Sequence, residues 1–251
     1  MTKITVVIPT YNESDNIPGL ARALLDSSLY TWLVFVDDNS PDGTGAILDN
    51  MARSPWAGGR IEVIHRSARL GLGSAYVMGL KRALLSGARL IAQMDADGSH
   101  DPARLPDMVE LLRFSGLDLV IGSRYVEGGG IAPTWGGFRL WLSAFANRYI
   151  RFWLGLPLRD CTGAFRVWRS QALERIPLDQ VRSNGYAFLA ETLYIAYRLG
   201  LQIGESPIYF DDRQGCESKM SLDVMLEAAG RVPLMPLYYR GLECQTARLT
   251  R

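Results

Sequence analysis

Four things are scarce in this sequence, and each scarcity narrows what the chain can be. Cysteine occurs three times, at Cys161, Cys216 and Cys244, an odd number with no paired spacing and no histidine cluster nearby. That usage argues against a disulfide framework and against a zinc site, and it fits a reducing cytoplasm. Charge of one sign is missing: 27 Lys and Arg against 26 Asp and Glu leave a net +1, so there is no basic field of the kind that holds nucleic acid, and nucleic acid is not an expected partner. No window reaches the ~18 uninterrupted apolar residues of a membrane-spanning helix. Met1 to Pro9 lacks the basic region and apolar stretch of a signal peptide, so secretion is not implied.

What the chain has instead is a series of short apolar runs, each followed by a polar loop and a helical stretch. At 251 residues and 48% hydrophobic composition it can bury the core of one large α/β domain; two smaller domains fit the length but are the less simple reading. Ile4-Thr5-Val6-Val7-Ile8 reads as a strand, and a helix follows to about Ser27 with Asn16 at its N-cap and Pro18 in its first turn. The same order returns with the strand Trp32 to Val36, the turn Asp37 to Gly43 and a helix from Thr44 to about Arg53. A third strand, Ile61 to His65, leads through Arg69-Leu70-Gly71-Leu72-Gly73 into a helix to about Ser86. A fourth strand ends at Met94, a helix follows Pro102, and Leu117 to Ile121 reads as a fifth strand. Strands this continuously apolar are covered on both faces, as in a mostly parallel sheet flanked by helices. There is no internal repeat or low-complexity linker; beyond about residue 122 the pattern becomes mixed, and Gly128-Gly129-Gly130 opens an expected mobile loop.

In such sheets ligands bind beyond the carboxyl ends of the strands, where Glu13, Asp38, the glycine loop and Asp95 with Asp97 are expected to gather. Asp95-Ala96-Asp97 is the most informative of these segments. Two carboxylates at i and i+2, lifted off the end of a buried strand, can hold a hard divalent cation, and the cation can grip a diphosphate. The same spacing also occurs in ordinary turns, where the carboxylates cap main-chain amides.

Six segments occur here in one order: Pro9-Thr10-Tyr11-Asn12-Glu13, Val36 to Thr44, Leu70-Gly71-Leu72-Gly73, Met94-Asp95-Ala96-Asp97, Gly122-Ser123-Arg124-Tyr125 and Asp160-Cys161-Thr162-Gly163-Ala164-Phe165-Arg166. Together they resemble the family 2 glycosyltransferases, and within them the dolichol- or polyprenol-phosphate mannosyltransferases, over roughly residues 3 to 222. The resemblance implies a single-domain α/β protein of GT-A type, Rossmann-like, with a nucleotide half at about 1–122, an acceptor half at about 123–222 and a C-terminal tail at 223–251. It implies inverting transfer of mannose from GDP-mannose to dolichyl or polyprenyl monophosphate, giving a β-linked phosphomannose. Mg2+ or Mn2+ held by Asp95 and Asp97 is implied as cofactor.

By the same resemblance Pro9, Tyr11, Glu13, Val36, Asp38, Asp95 and Ala96 contact the donor, and Arg213 and Lys219 close on its diphosphate. Asp97 and Arg124 are the implied catalytic residues. Arg124, Arg139 and Ser143 fall where the acceptor phosphate is held, with Thr162 and Gly163 in the acceptor-side motif. Taken without the resemblance, these residues read as a loop proline, a packed aromatic, capping acids and solvated surface charges. The aromatic stretch Trp141 to Trp153 admits two readings: a buried core helix, which periodicity alone favours, or a helix resting on a bilayer with Arg148 and Arg151 at its headgroups. Two departures from the family pattern stand out: Cys216 takes the place of a glycine that here sits at Gly215, and Gly98 replaces a bulky apolar residue, which is expected to loosen the turn bearing the carboxylates. Pro233 and Pro236 break the last apolar stretch, so attachment at the cytoplasmic face of a membrane is expected to be peripheral, through a separate anchor or through a membrane partner protein. The same fold using UDP-glucose, and a non-catalytic nucleotide-sugar-binding subunit, are the alternative readings.

Overall fold

The computed structural model describes residues 3–211 and 229–242. Strands β1 (Lys3–Thr10), β2 (Tyr30–Asp37), β3 (Ile61–His65), β4 (Leu90–Gln93) and β5 (Leu119–Ser123) alternate with helices α1 (Ile17–Leu25), α2 (Thr44–Arg53), α3 (Leu72–Leu85) and α4 (Leu105–Phe114). Next come β6 (Gly130–Ile131), α5 (Gly137–Leu154), β7 (Arg166–Arg169), α6 (Ser170–Leu173), α7 (Ala187–Arg198), β8 (Ile203–Pro207) and β9 (Tyr209–Phe210), and a short helix, Met235–Tyr238, lies in the last described segment. Seven strands form one sheet in the order β3-β2-β1-β4-β7-β5-β8, and β6 pairs with β9 in a small second sheet.

The sheet is covered on both faces, which is why its strands read as unbroken apolar runs. Val6 and Ile8 point into the core shared with Ile17, Leu24 and Leu105 on one side, and Val7 points into the core shared with Tyr76, Leu80 and Phe188 on the other. The parallel register of β1 with β2 runs from Lys3 opposite Tyr30 to Thr10 opposite Asp37, so both strands end at the same edge and their loops emerge side by side.

The first three strands and their helices lie where the sequence places them, within two residues, apart from the longer β2 and the extension of β1 through Pro9 to Thr10. β5 starts at Leu119 rather than Leu117, because Asp118 and Leu119 both donate their N–H to the Gln202 carbonyl and pairing with β8 begins there. Antiparallel β7 interrupts the parallel run by wedging between β4 and β5. It joins residues from both expected halves in one sheet; the boundary expected at 222 lies outside the described residues. Wholly buried Arg166 donates from Nε to the Gly163 carbonyl, from Nη1 to Thr192 Oγ1 and from Nη2 to the Leu189 carbonyl, while burial pulls its pKa down to about 10.

Two expectations are corrected. Gly130 begins a strand, because Gly130 and Ile131 pair in parallel with Tyr209 and Phe210, so the glycine run is not simply a loop. The aromatic stretch of α5 is not a core helix: of its residues only Asn147, Ile150 and Leu154 are buried, while Phe138 is 76%, Trp141 59% and Phe152 78% exposed. No helix among the described residues is long and apolar enough to cross a membrane.

Candidate active site

The loops after β1, β2 and β3 are tied together by side chains that accept main-chain N–H groups. Thr44 Oγ1, at the start of α2, accepts the Glu13 N–H at 3.0 Å, and Asp42 accepts the N–H of Ser14 at 3.1 Å and of Thr44 at 3.0 Å. Asn16 stands at the N-cap of α1 but does not cap it through its side chain; its amide donates to Glu13 Oε2 at 2.8 Å and fixes that buried carboxylate. Asp38 does the corresponding work for the glycine loop. Its two oxygens accept the N–H groups of Leu70 and Gly71, both at 2.9 Å, and Arg66 Nη1 lies 2.9 Å from Oδ1. Asp38 therefore builds the loop as well as lining the cleft.

These loops enclose a cleft of about 200 Å³ lined by Pro9, Tyr11, Glu13, Asp38, Asp95, Ala96 and Asp97, together with Arg69, Gly71 and Asn184 to Tyr186. The convergence expected from the strand order is present. Tyr11 carries the Arg69 guanidinium over its ring at 4.2 Å. Val36 is placed differently: its side chain is wholly buried against Ala75 and does not line the cleft, because β2 alternation turns it under α3. The opposite wall, Asn184-Gly185-Tyr186, was not legible as part of the site. It is held by Glu191, whose carboxylate accepts the N–H groups of Arg182 at 3.0 Å and Ser183 at 2.8 Å. The wall touches the glycine loop directly: Gly73 donates its N–H to the Asn184 carbonyl at 2.8 Å, and a Cβ at Gly73 would sit 2.5 Å from the Ser183 carbonyl oxygen.

Asp95 and Asp97 follow β4 at the cleft's floor. Asp95 Oδ1 accepts the Tyr76 hydroxyl at 2.7 Å; Asp97 Oδ1 accepts the Ser99 N–H at 3.1 Å and the Ser99 hydroxyl. Gly98 sits between them at φ +75°, a left-handed conformation that glycine adopts without strain, and the turn folds back tightly on Asp97 rather than loosening. Among the described residues no group of three or more His, Cys, Asp or Glu side chains is arranged to hold a metal ion. The pair is an all-oxygen donor set of two, which suits a hard cation that takes its other ligands from water and a diphosphate.

Beyond the pair lies a second cluster, around Arg124. Arg124 Nε and Nη2 bond Asp160 Oδ2 and Oδ1 at 2.7 and 2.8 Å, and Nη2 also reaches Thr162 Oγ1 at 2.6 Å. Burial alone works against both charges, yet each stabilises the other, so the Arg124 pKa rises and that of Asp160 falls. One edge of Arg124 is thus committed to protein, while no hydrogen bond is made by Nη1 among the described residues. Ser143 Oγ and the Tyr125 hydroxyl share a hydrogen bond of 2.8 Å, and Arg139 lies 3.7 Å over Trp135, whose ring meets Phe210 edge-on. Phe210 in turn lies under Arg124 at 5.2 Å, so Arg124, Arg139 and Ser143 belong to one cluster.

His100 joins the two clusters. Its ring meets Phe210 edge-on at 5.2 Å, and its Nδ1 lies 3.4 Å from the Asp95 N–H. Burial lowers its pKa, outweighing the attraction of Asp95 and Asp97. Its position directly after the Asp-x-Asp turn was the one signal the sequence held for it. Arg213 and Lys219 lie outside the described residues.

A mixed sheet of this order, with paired carboxylates in a cleft at its carboxyl edge, is the GT-A arrangement, and the protein is a glycosyltransferase. The chain belongs to glycosyl transferase family 2, whose family model matches residues 5–177. It is 40% identical over 227 residues to the polyprenol monophosphomannose synthase of Mycolicibacterium smegmatis, a match covering 90% of this chain and 84% of that protein. It is also 40% identical over 230 residues to the undecaprenyl-phosphate mannosyltransferase of Micrococcus luteus, covering 92% of each. Among solved structures it is similar to glucosyl-3-phosphoglycerate synthase from Mycobacterium tuberculosis in complex with Mn2+, UDP and glucosyl-3-phosphoglycerate. That likeness, with TM-score 0.65 at 18% identity over 97% of this chain and 82% of that one, concerns the fold.

Proposed function

We propose that this protein transfers mannose from GDP-mannose to a polyprenyl monophosphate at a membrane surface, with inversion at the sugar. The observation that carries the reading is the placement of the cleft carboxylates Asp95 and Asp97 next to the cationic cluster of Arg124 and Arg139, which is anchored on a helix with an exposed aromatic face. The two relatives that share 40% of their residues along most of their length support mannose and a polyprenyl phosphate. A phosphate monoester is already anionic, so its oxygen can attack the anomeric carbon while the bond to GDP breaks, and no strong general base is required. Asp95 and Asp97 would hold Mg2+ or Mn2+, which when bound neutralises charge developing on the departing diphosphate. Arg124, through Nη1, and Arg139 hold the acceptor phosphate beside the cleft, with Ser143 fixing Tyr125 beneath them.

The α5 aromatics form a continuous ladder in which Phe138, Trp141, Phe145 and Tyr149 follow one another at centroid distances of 6.2, 5.4 and 6.4 Å. Such a face, flanked by exposed Arg148 and Arg151, suits a helix lying in the headgroup region, where the lipid acceptor is found. The test is transfer of labelled sugar from GDP-mannose, with UDP-glucose in parallel, to a short polyprenyl phosphate with Mg2+ or Mn2+ and with EDTA. Mannolipid formed only from GDP-mannose and only with metal is expected. Glucolipid alone, or transfer insensitive to EDTA, would overturn the donor or the metal respectively.

A further inference from the structure

Tyr76 lies on the buried face of α3, and the transfer as described does not use it. Its ring is fully buried and stacked on Phe188, with centroids 5.7 Å apart and planes 3° from parallel. Its hydroxyl donates to Asp95 Oδ1 at 2.7 Å. A buried phenol takes a polar partner where it can reach one, and here the partner is a carboxylate of the cleft. Hydrogen bonds to ionised groups are the stronger kind, and this one has a donor that cannot move, because the ring is clamped between the sheet and α7.

The geometry points to Tyr76 as the positioning residue of the divalent-cation site: it fixes the orientation of Asp95, so that the ion meets two carboxylates already in place. The stack on Phe188 extends the same device to the far wall, since Phe188 is the second residue of α7, just after Asn184 to Tyr186. The inference rests on the assignment of Asp95 and Asp97 as the metal-holding pair.

Tyr76→Phe keeps the ring and its stack and removes only the hydroxyl. Mn2+ binding, measured by electron paramagnetic resonance without donor, is expected to weaken by about 10- to 100-fold, the range seen when an outer hydrogen bond to a metal ligand is lost. Saturating Mn2+ is expected to restore most of the wild-type rate of transfer. An unchanged Mn2+ affinity, or a loss of transfer that saturating Mn2+ does not repair, overturns the role. Asp97→Ala, measured alongside, separates the two readings: wild-type Mn2+ binding there would remove the metal assignment itself, whereas weakened binding there with an unchanged Tyr76→Phe removes only Tyr76. Should Tyr76→Phe fail to fold, Phe188→Leu carries the test, because it loosens the ring while leaving the hydroxyl: weaker Mn2+ binding supports the role and unchanged binding overturns it.

Discussion

Replacing Asp160 by Asn probes the centre of the Arg124 cluster. Asp160 is wholly buried and Arg124 is 9% exposed, and besides the two guanidinium bonds Asp160 accepts the N–H groups of Arg124 and Thr162, both at 3.2 Å. An Asn in its place keeps one acceptor oxygen and turns an NH2 group toward donors that Oδ2 now receives. Arg124 is left buried without its counter-charge, which costs about 3–5 kcal/mol. At ~2 cal/mol/K of unfolding entropy per residue, a chain of 251 residues loses roughly 2 °C of melting temperature per kcal/mol, so a fall of about 6–10 °C is expected. Burial by itself would raise the Asp160 pKa, but Arg124 outweighs it and holds the folded-state value below the ordinary one. The stabilisation is therefore present above the ordinary carboxylate pKa of about 4 and is lost as pH falls through the lowered folded value, so the gap between wild type and variant closes in acid. Urea unfolding at several pH values reads both effects, with the midpoint moving and the slope unchanged. A loss below about 1 kcal/mol at neutral pH, or a gap that does not narrow in acid, refutes the reasoning. The double variant Arg124→Met, Asp160→Leu is expected to recover much of the stability, as apolar replacements of buried ion pairs do, and to lose transfer because the proposed phosphate-holding guanidinium is gone.

Gly73→Ala puts a methyl 2.5 Å from the Ser183 carbonyl oxygen, a main-chain atom that cannot swing aside. It is expected to cost about 1–3 kcal/mol and to raise the KM for the donor by displacing the Asn184 wall; an unchanged KM with full stability contradicts the packing. Trp141→Ser with Phe145→Ser removes two aromatic groups worth about 1.5 kcal/mol each on burial, so binding to anionic vesicles in a cosedimentation assay should weaken on the order of 100-fold. Equal binding by the double variant would take α5 off the membrane. Burial pushes the Cys161 thiol up to about 12, so peptide mapping should find it unalkylated by iodoacetamide at pH 8 until urea unfolds the chain; native-state labelling at Cys161 counts against that burial.

The cleft at the carboxyl edge of the sheet was legible because its residues follow a rule tied to local sequence. Each parallel strand ends in a polar loop, and the carboxyl edge collects those loops whatever lies between them, so Pro9 to Glu13, Asp38 and Asp95 to Asp97 converge although Pro9 and Asp97 are 88 residues apart in the chain. Partnerships across the sheet were not legible. Nothing near Asp38 in the chain says that its carboxylate will receive the amides of Leu70 and Gly71. Likewise Glu191, fully helical and 1% exposed, shows in sequence no sign that it holds the loop forming the cleft's other wall. β7 escaped notice because four residues with arginine at both ends carry neither apolar continuity nor alternation, and it is the tertiary hydrogen bonds of Arg166 that let it be central.

On α5 the usual rule does not merely lose resolution but inverts, and the inversion is informative. The residues at 143, 147, 150 and 154 share the inward face, and its two polar members bond Tyr125 and the loop at Cys161 and Thr162. Asn147 Oδ1 accepts the Cys161 N–H at 2.8 Å, its Nδ2 reaches Thr162 Oγ1 at 3.2 Å, and Ser143 binds Tyr125. The aromatic residues that periodicity assigns to a core point outward instead. Amphipathic reading assumes that the other side of a helix is water. A helix that keeps asparagine and serine inside, where they grip the loop bearing Asp160 and Thr162, and displays a stacked aromatic ladder outside, violates that assumption on both faces at once. Either face alone could be an accident of packing. Both together make sense under the proposed transfer to a lipid phosphate: the inward face would organise the acceptor site and the outward face would meet an apolar phase, so that α5 would join the membrane surface to the residues proposed to hold the phosphate.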